Sequence, residues 1–156
     1  MSDQSKKKLK LKVSAIQNGT VIDHIPSENL FKVITILGLD KVNNQITFGA
    51  NLESQKLGSK AIIKIADKFF EDDEINKIAL IAPHAKLNII RDYEVVEKKV
   101  VEIPEEVIGI VKCFNPKCVT NSEPMKTRFT VTSKSPIELK CRYCEKITHE
   151  DEMKIL

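Results

Sequence analysis

Apolar and polar positions alternate at the start of the chain. Leu9, Leu11, Val13 and Ala15 are interleaved with Lys10, Lys12 and Ser14, and a period of two predicts a half-buried strand. Asn18-Gly19 then marks a turn. At Pro26-Ser27 the pattern predicts a helix start, with Ser27 as N-cap and Glu28 favourable in the first turn. Leu30, Phe31, Ile34 and Leu37 follow at helical spacing, and Gly38 fits just past the end. Asn43-Asn44 is a further turn, after which Ile46 to Leu52 reads as a second strand. Ser59 is placed to cap a second helix whose apolar face would carry Ile62, Ile65, Ala66, Phe69 and Phe70. Beyond the acidic connection Glu71 to Glu74, the runs Ile78 to Ile81 and Leu87 to Ile90 read as strands separated by a Pro83-His84 turn. Tyr93 to Val101 is expected to be extended or irregular.

Strands interleaved with two helices predict an α+β fold, with a largely antiparallel sheet carrying both helices on one face. Ile103-Pro104-Glu105-Glu106 interrupts the pattern, and a domain boundary is expected there, dividing the chain into 1–104 and 105–156. The second part shows no helical period except in its last few residues. It reads as all-β, with short strands at Arg128 to Thr132 and Ile137 to Lys140.

Composition narrows the function. Apolar residues make up 42% of the 156 positions and charged residues 30%, enough for a buried core and a solvated surface. No stretch approaches the length of a membrane span, and the basic N-terminus lacks the apolar region of a secretory signal. A cytoplasmic protein is expected, without membrane contact. Residues 1–104 hold 16 basic and 14 acidic side chains, and residues 105–156 hold 9 and 8. Neither part is polybasic, which argues against a nucleic-acid partner. The lysine cluster from Lys6 to Lys12 is the local exception, and its bland reading is a solvated tail.

All four cysteines lie in the second part, as Cys113, Cys118, Cys141 and Cys144, spaced C-x4-C-x22-C-x2-C. Each pair sits on its own tight turn, so four sulfurs can meet at one point. Zinc takes four thiolates at tetrahedral corners, and no cysteine is left over. Two disulfides or four buried thiols form the alternative reading. A part of about 50 residues has a marginal core, whereas structural zinc supplies about 10–16 kcal/mol in finger-sized peptides. Four thiolates leave no open coordination position for hydrolysis. The phosphate-binding glycine loops and the nucleophile elbow are absent. His24, His84 and His149 are scattered, and Asp23 directly precedes His24. A binding or regulatory protein is therefore expected, not an enzyme. The rival readings are a zinc-ribbon nucleic-acid-binding protein and an enzyme using Asp23-His24 with nearby lysines.

Longer motifs identify a family. Gly19-Thr-Val-Ile-Asp-His-Ile-Pro26, Ile46-Thr-Phe-Gly-Ala-Asn-Leu52, Gly58-Ser-Lys-Ala-Ile-Ile-Lys-Ile65, Asn88 through Asp92-Tyr-Glu-Val-Val96, and the cysteine stretch ending Cys-Arg-Tyr-Cys-Glu-Lys together make the chain resemble the regulatory chains of aspartate carbamoyltransferase over essentially its whole length. The resemblance implies an N-terminal allosteric domain that binds the nucleotide effectors CTP and ATP, and a C-terminal zinc domain that docks on the catalytic chain. It also implies a regulatory homodimer within a dodecamer of six catalytic and six regulatory chains, acting in pyrimidine biosynthesis. By position, Val13, Ala15 and Ile16 match a strand that meets the base. Val21, Asp23 and His24 match residues near base and sugar, and Lys64 matches a lysine that contacts base and ribose. Asn88, Tyr93, Val95 and Lys98 match the base- and phosphate-contacting set, with Lys99 a neighbouring cation. Lys60 and Lys10 match positions near a second nucleotide or metal in some members. Ser14, His84, Glu97 and the longer basic tail depart from familiar members.

Overall fold

The backbone runs in and out of a five-stranded sheet before it reaches the cysteines. In this computed structural model residues 16–55 and 58–156 are described. The strand expected over Leu9 to Ala15, with Lys10, Val13 and Ala15, lies outside the described residues. Strand β1 (Gly19–Pro26), β2 (Ile46–Ser54), β3 (Gly58–Ala66), β4 (Lys86–Arg91) and β5 (Glu94–Val100) pair in the order β2-β3-β1-β4-β5. Every pairing is antiparallel.

Register sorts the side chains into two faces, because directly opposed residues point the same way. Phe48, Ile63, Ile22, Leu87 and Lys99 form one row across all five strands. Ile22, Ile63 and Leu87 are buried in that row, as are Ile65 and Ile89 beside it. Helix α1 (Leu30–Ile36) and helix α2 (Asp72–Asn76) contribute Leu30, Val33 and Ile75 to the same buried cluster. The two helices thus cover one face.

Four expectations are corrected. The helix expected from Ser59 is strand β3, with Ala61, Ile63 and Ile65 buried at alternate positions. The run Ala-Ile-Ile-Lys-Ile-Ala satisfies both periods, and pairing on both sides with β1 and β2 decided for the strand. The second helix falls instead in the acidic connection. Glu71 and Glu74 close a capping box there, and Asp72, Asp73 and Glu74 oppose the positive end of the helix. Ile78 to Ile81 is no strand; Lys77–Leu80 winds as a 3-10 turn and buries Ile78, Ala79 and Leu80. Ser27 does not cap α1. It opens a 3-10 turn, Ser27–Asn29, and its Oγ accepts a hydrogen bond from Asn51 N at 3.0 Å. Gly38 does end α1 as expected, in the left-handed region at φ 68°. The segment after Tyr93 becomes β5, reached through Asp92 and Tyr93 at φ 52° and 68°, the two left-handed residues of a tight hairpin.

The cysteine half is all-β. Strands β6 (Glu106–Ile108), β8 (Arg128–Lys134), β9 (Ile137–Cys141) and β10 (Ile147–His149) form a sheet ordered β10-β9-β8-β6. Strand β7 (Val111–Lys112) pairs with β11 (Lys154–Ile155). The core is Val107, Val111, Phe129, Ile137 and Leu139. The last residues contain only a 3-10 turn, Glu150–Glu152, before β11. No helix among the described residues is long and apolar enough to cross a membrane.

Candidate metal centre and ligand face

Two turns bring the four sulfurs together. Cys113 follows β7, and Cys118 closes its turn by donating N–H to Asn115 O at 3.0 Å. Cys141 ends β9, and the turn to Cys144 is pinned by Cys141 N to Lys146 O and Glu145 N to Cys141 O. Asn121 spans the first turn, its Nδ2 donating to the carbonyls of Cys113 and Asn115. All four Sγ atoms lie within 4.8 Å of one another. Cys113–Cys144 and Cys118–Cys141 are each separated by 3.7 Å. No cysteine is in a disulfide. A tetrahedral zinc with metal–sulfur bonds of about 2.3 Å has sulfur–sulfur edges of about 3.8 Å, so the donor set has the size as well as the chemistry of a closed metal centre.

The electrostatics agree. Burial pushes the thiols of Cys113 and Cys141 up, because thiolates there lose water and repel one another. At Cys144 burial acts in the same direction, but hydrogen bonds from the Lys146 backbone, Asn115 and the neighbouring cysteines outweigh it and bring the thiol to about 7. Cys113 and Cys141 hold their protons until a cation compensates the charge. Backbone donation such as Tyr143 N to Cys141 Sγ at 3.4 Å is what stabilises liganded thiolates.

The other candidate site lies on the sheet face away from the helices. There Thr47, Lys64, Val21, Asn88 and Lys98 form a single row across the five strands. Ile90 and Val95 form the adjacent row on the same face. Residues 21, 64, 88, 95 and 98 of the sequence expectation thus meet, although they come from four strands. Lys64 is only 2% exposed, and its Nζ has no hydrogen-bond partner among the described residues. Burial pushes its pKa down, with Asp23 partly offsetting.

Asp23 and His24 sit where the β1–β3 register slips. His24 adopts φ 62°, a costly conformation for a residue with a Cβ. Its N–H donates to Asp23 Oδ1 at 2.6 Å, while its buried Nδ1, 3.4 Å from that oxygen, makes no hydrogen bond among the described residues. The Asp23 carboxylate is held by Lys60 Nζ at 3.0 Å. Ile16 is half-buried. Next to it, Gln17 O accepts from Tyr93 N at 2.9 Å, which docks the exposed Tyr93 turn against the start of β1.

Lys99 does not join Lys98. It points to the helix face, where its Nζ meets Asp72 Oδ1 at 3.0 Å, as the alternation of a strand requires. Sequence reasoning missed Lys86 and Thr47. The register sets Lys86 opposite Asp23 and Thr47 opposite Lys64. The alternation Lys86-Asn88-Ile90 was the available signal for the first, and nothing local marked the second.

Comparison with known proteins follows the same division. A family model described as the aspartate carbamoyltransferase regulatory chain, allosteric domain, matches residues 11–102. A second, described as the metal binding domain of that regulatory chain, matches residues 105–154. An aspartate carbamoyltransferase regulatory chain of Parabacteroides distasonis is 62% identical over 148 residues, covering 94% of this chain and 96% of that one. One of Bacteroides fragilis is 59% identical over 152 residues, with 97% and 99% covered. One of Thermococcus sibiricus is 56% identical over 141 residues, with 90% and 93% covered.

Proposed function

The chain belongs to the family of aspartate carbamoyltransferase regulatory chains, and from that premise we propose that its sheet face takes a nucleotide effector, CTP or ATP, across Val21, Lys64, Asn88 and Lys98. It is the regulatory and not the catalytic subunit of the enzyme, and the reading as a nucleic-acid-binding zinc ribbon is not favoured. The observation that carries the effector site is Lys64. A buried ammonium with no partner among the described residues is costly, and an anionic or carbonyl-bearing ligand supplies an acceptor. Asn88 offers both donor and acceptor for a base edge. Lys98, exposed at the edge strand, offers charge to a phosphate. Ile16, Asp23, His24, Tyr93 and Val95 line the periphery, and Val13 and Ala15 complete the set by resemblance.

Residues 105–156 form the metal-binding part and residues 1–104 the allosteric part. The metal is zinc, held by Cys113, Cys118, Cys141 and Cys144, and its chemistry there is structural. Exposed Phe114 and Tyr143 on the cysteine turns give the catalytic chain an apolar grip. At the other end β2 is an edge strand with a single charged residue, Glu53. Phe48 packs edge-on against Phe31 at 5.9 Å, and both rings are largely exposed. An unguarded edge of this kind pairs with a second copy, giving the regulatory homodimer of a cytoplasmic dodecamer with six chains of each type.

Effector and substrate binding are linked by a coupling free energy of about 1–3 kcal/mol in such systems. Calorimetric titration of CTP and ATP tests the site. Lys64→Met and Lys98→Ala are expected to weaken binding while assembly persists. Unchanged affinity in both would refute the assignment. Elemental analysis is expected to find one zinc per chain.

A further inference from the structure

We propose that residues 98–106 form a pinned connector between the effector face and the metal centre, with Asp72, Asn76 and Arg142 as the positioning residues that hold it. The inference rests on the effector reading above and assigns the residues that carry its signal.

Beginning at Lys98 in the effector row, the chain is fastened every few residues. Lys99 turns to the opposite face and pairs with Asp72 of α2 at 3.0 Å. Three residues later, Glu102 N donates to Asn76 Oδ1 at 3.0 Å, at the other end of the same helix. Between these two points α2 is anchored in the core by Ile75, 1% exposed. The helix therefore clasps β5 and the connector at both ends from a fixed base.

The fastening continues past the boundary. Glu105 O accepts from Val131 N at 2.9 Å, and Glu106 and Val107 pair with Thr130 and Phe129 of β8. Glu106 Oε1 accepts from Arg142 Nη1 at 2.9 Å. Arg142 follows the metal ligand Cys141 directly, and its own N–H donates to Arg128 O at 2.8 Å.

A free linker of this length would absorb a shift of β5 by changing its backbone angles. A connector tied at Lys99, Glu102, Glu105 and Glu106 has little such slack, so a displacement at Lys98 reaches the cysteine turn. The two ties made by α2 are long-range in sequence and cost the fold little to lose, since both are solvent-accessible. Their removal separates transmission from folding.

The test uses the assembled enzyme carrying Asn76→Ala or Lys99→Met, with CTP and ATP affinity measured beside the effector-induced shift in half-saturating aspartate. Both variants are expected to bind nucleotide within about twofold of the parent and to lose about threefold or more of the effector-induced shift. Asn76→Asp, which keeps an acceptor for Glu102 N, is expected to restore it. Metal content and assembly are expected to be unchanged. A full effector response in both variants overturns the inference alone. A parent complex that binds neither nucleotide overturns the effector face, and this inference with it. A response lost only together with metal or assembly also overturns it.

Discussion

The two halves of the chain solve the problem of a polar centre in opposite ways. In the sheet half, rows of apolar side chains fill one face beneath two helices. The polar groups lie on the other face, where Lys64 is buried with no hydrogen-bond partner among the described residues. The fold there does not need that buried lysine; burying it costs the fold. In the cysteine half the polar centre is the core. Four sulfurs within 4.8 Å stand where a larger domain would place aliphatic side chains, and the remaining core is a handful of residues around Phe129. The contrast teaches that a ligand site can be a burden carried by a stable scaffold, or it can be the scaffold itself.

The sharpest break should come from the metal. Cys141→Ser, or treatment with a mercurial, removes a contribution of about 10–16 kcal/mol in comparable small domains. Residues 105–156 are expected to lose amide protection while the sheet half keeps it, and the complex with the catalytic chain to dissociate. An ordered cysteine half without metal would erase the contrast. The converse substitution is Ile63→Ala in the sheet core. It is expected to cost about 2–5 kcal/mol, read as a lower denaturation midpoint, with the metal still bound.

Lys64→Met should separate burden from scaffold. Its effect on stability is smaller and favourable: the melting temperature of the sheet half is expected to rise by about 4–8 °C for each kcal/mol gained, while nucleotide binding falls. The pH dependence has a defined sign. The folded-state pKa of Lys64 is lowered from 10.5, so the unfolded chain binds more protons between the lowered value and 10.5. The destabilising effect of the charged form is therefore full below that window and relieved as pH rises through it. Denaturant melts across the alkaline range are expected to show this upward contribution in the parent and not in Lys64→Met. The smallest effect on the fold belongs to Lys98→Ala. Its melting curve should overlay the parent, and its loss of affinity should be greater for a triphosphate than for the monophosphate, as titration of both would reveal.

Part of the sheet half was legible where its signals were local and agreed with one another. Ile46 to Leu52 and Leu87 to Ile90 are apolar runs bounded by turn residues and fall in β2 and β4, and Gly38 stood where a left-handed cap was needed, whereas the central strand β1, Gly19–Pro26, was not predicted. Strand β3 was misread because Ala61 to Ala66 fits a helical stripe and a strand alternation equally. Only pairing with β1 and β2, which lie far off in sequence, chose between them. The run Ile78 to Ile81 failed for a related reason: four apolar residues say that a segment is buried without saying in what shape. The site residues were named through the family motifs. Their meeting in one row depends on registers no local pattern encodes, and that is why Lys86 and Thr47 were missed and Lys99 was grouped with Lys98.

By itself the sequence determined the candidate metal centre, since four cysteines on two tight turns have few ways to arrange their sulfurs and together offer a closed set of thiolate ligands. It also determined the family, through motifs too long to arise from composition. Tertiary structure alone decided which lysine joins the row of Lys64 and Asn88 and which ties down the helix. Lys98 and Lys99 are adjacent and chemically identical, and only the pleat of a paired strand sends one to each side of the sheet.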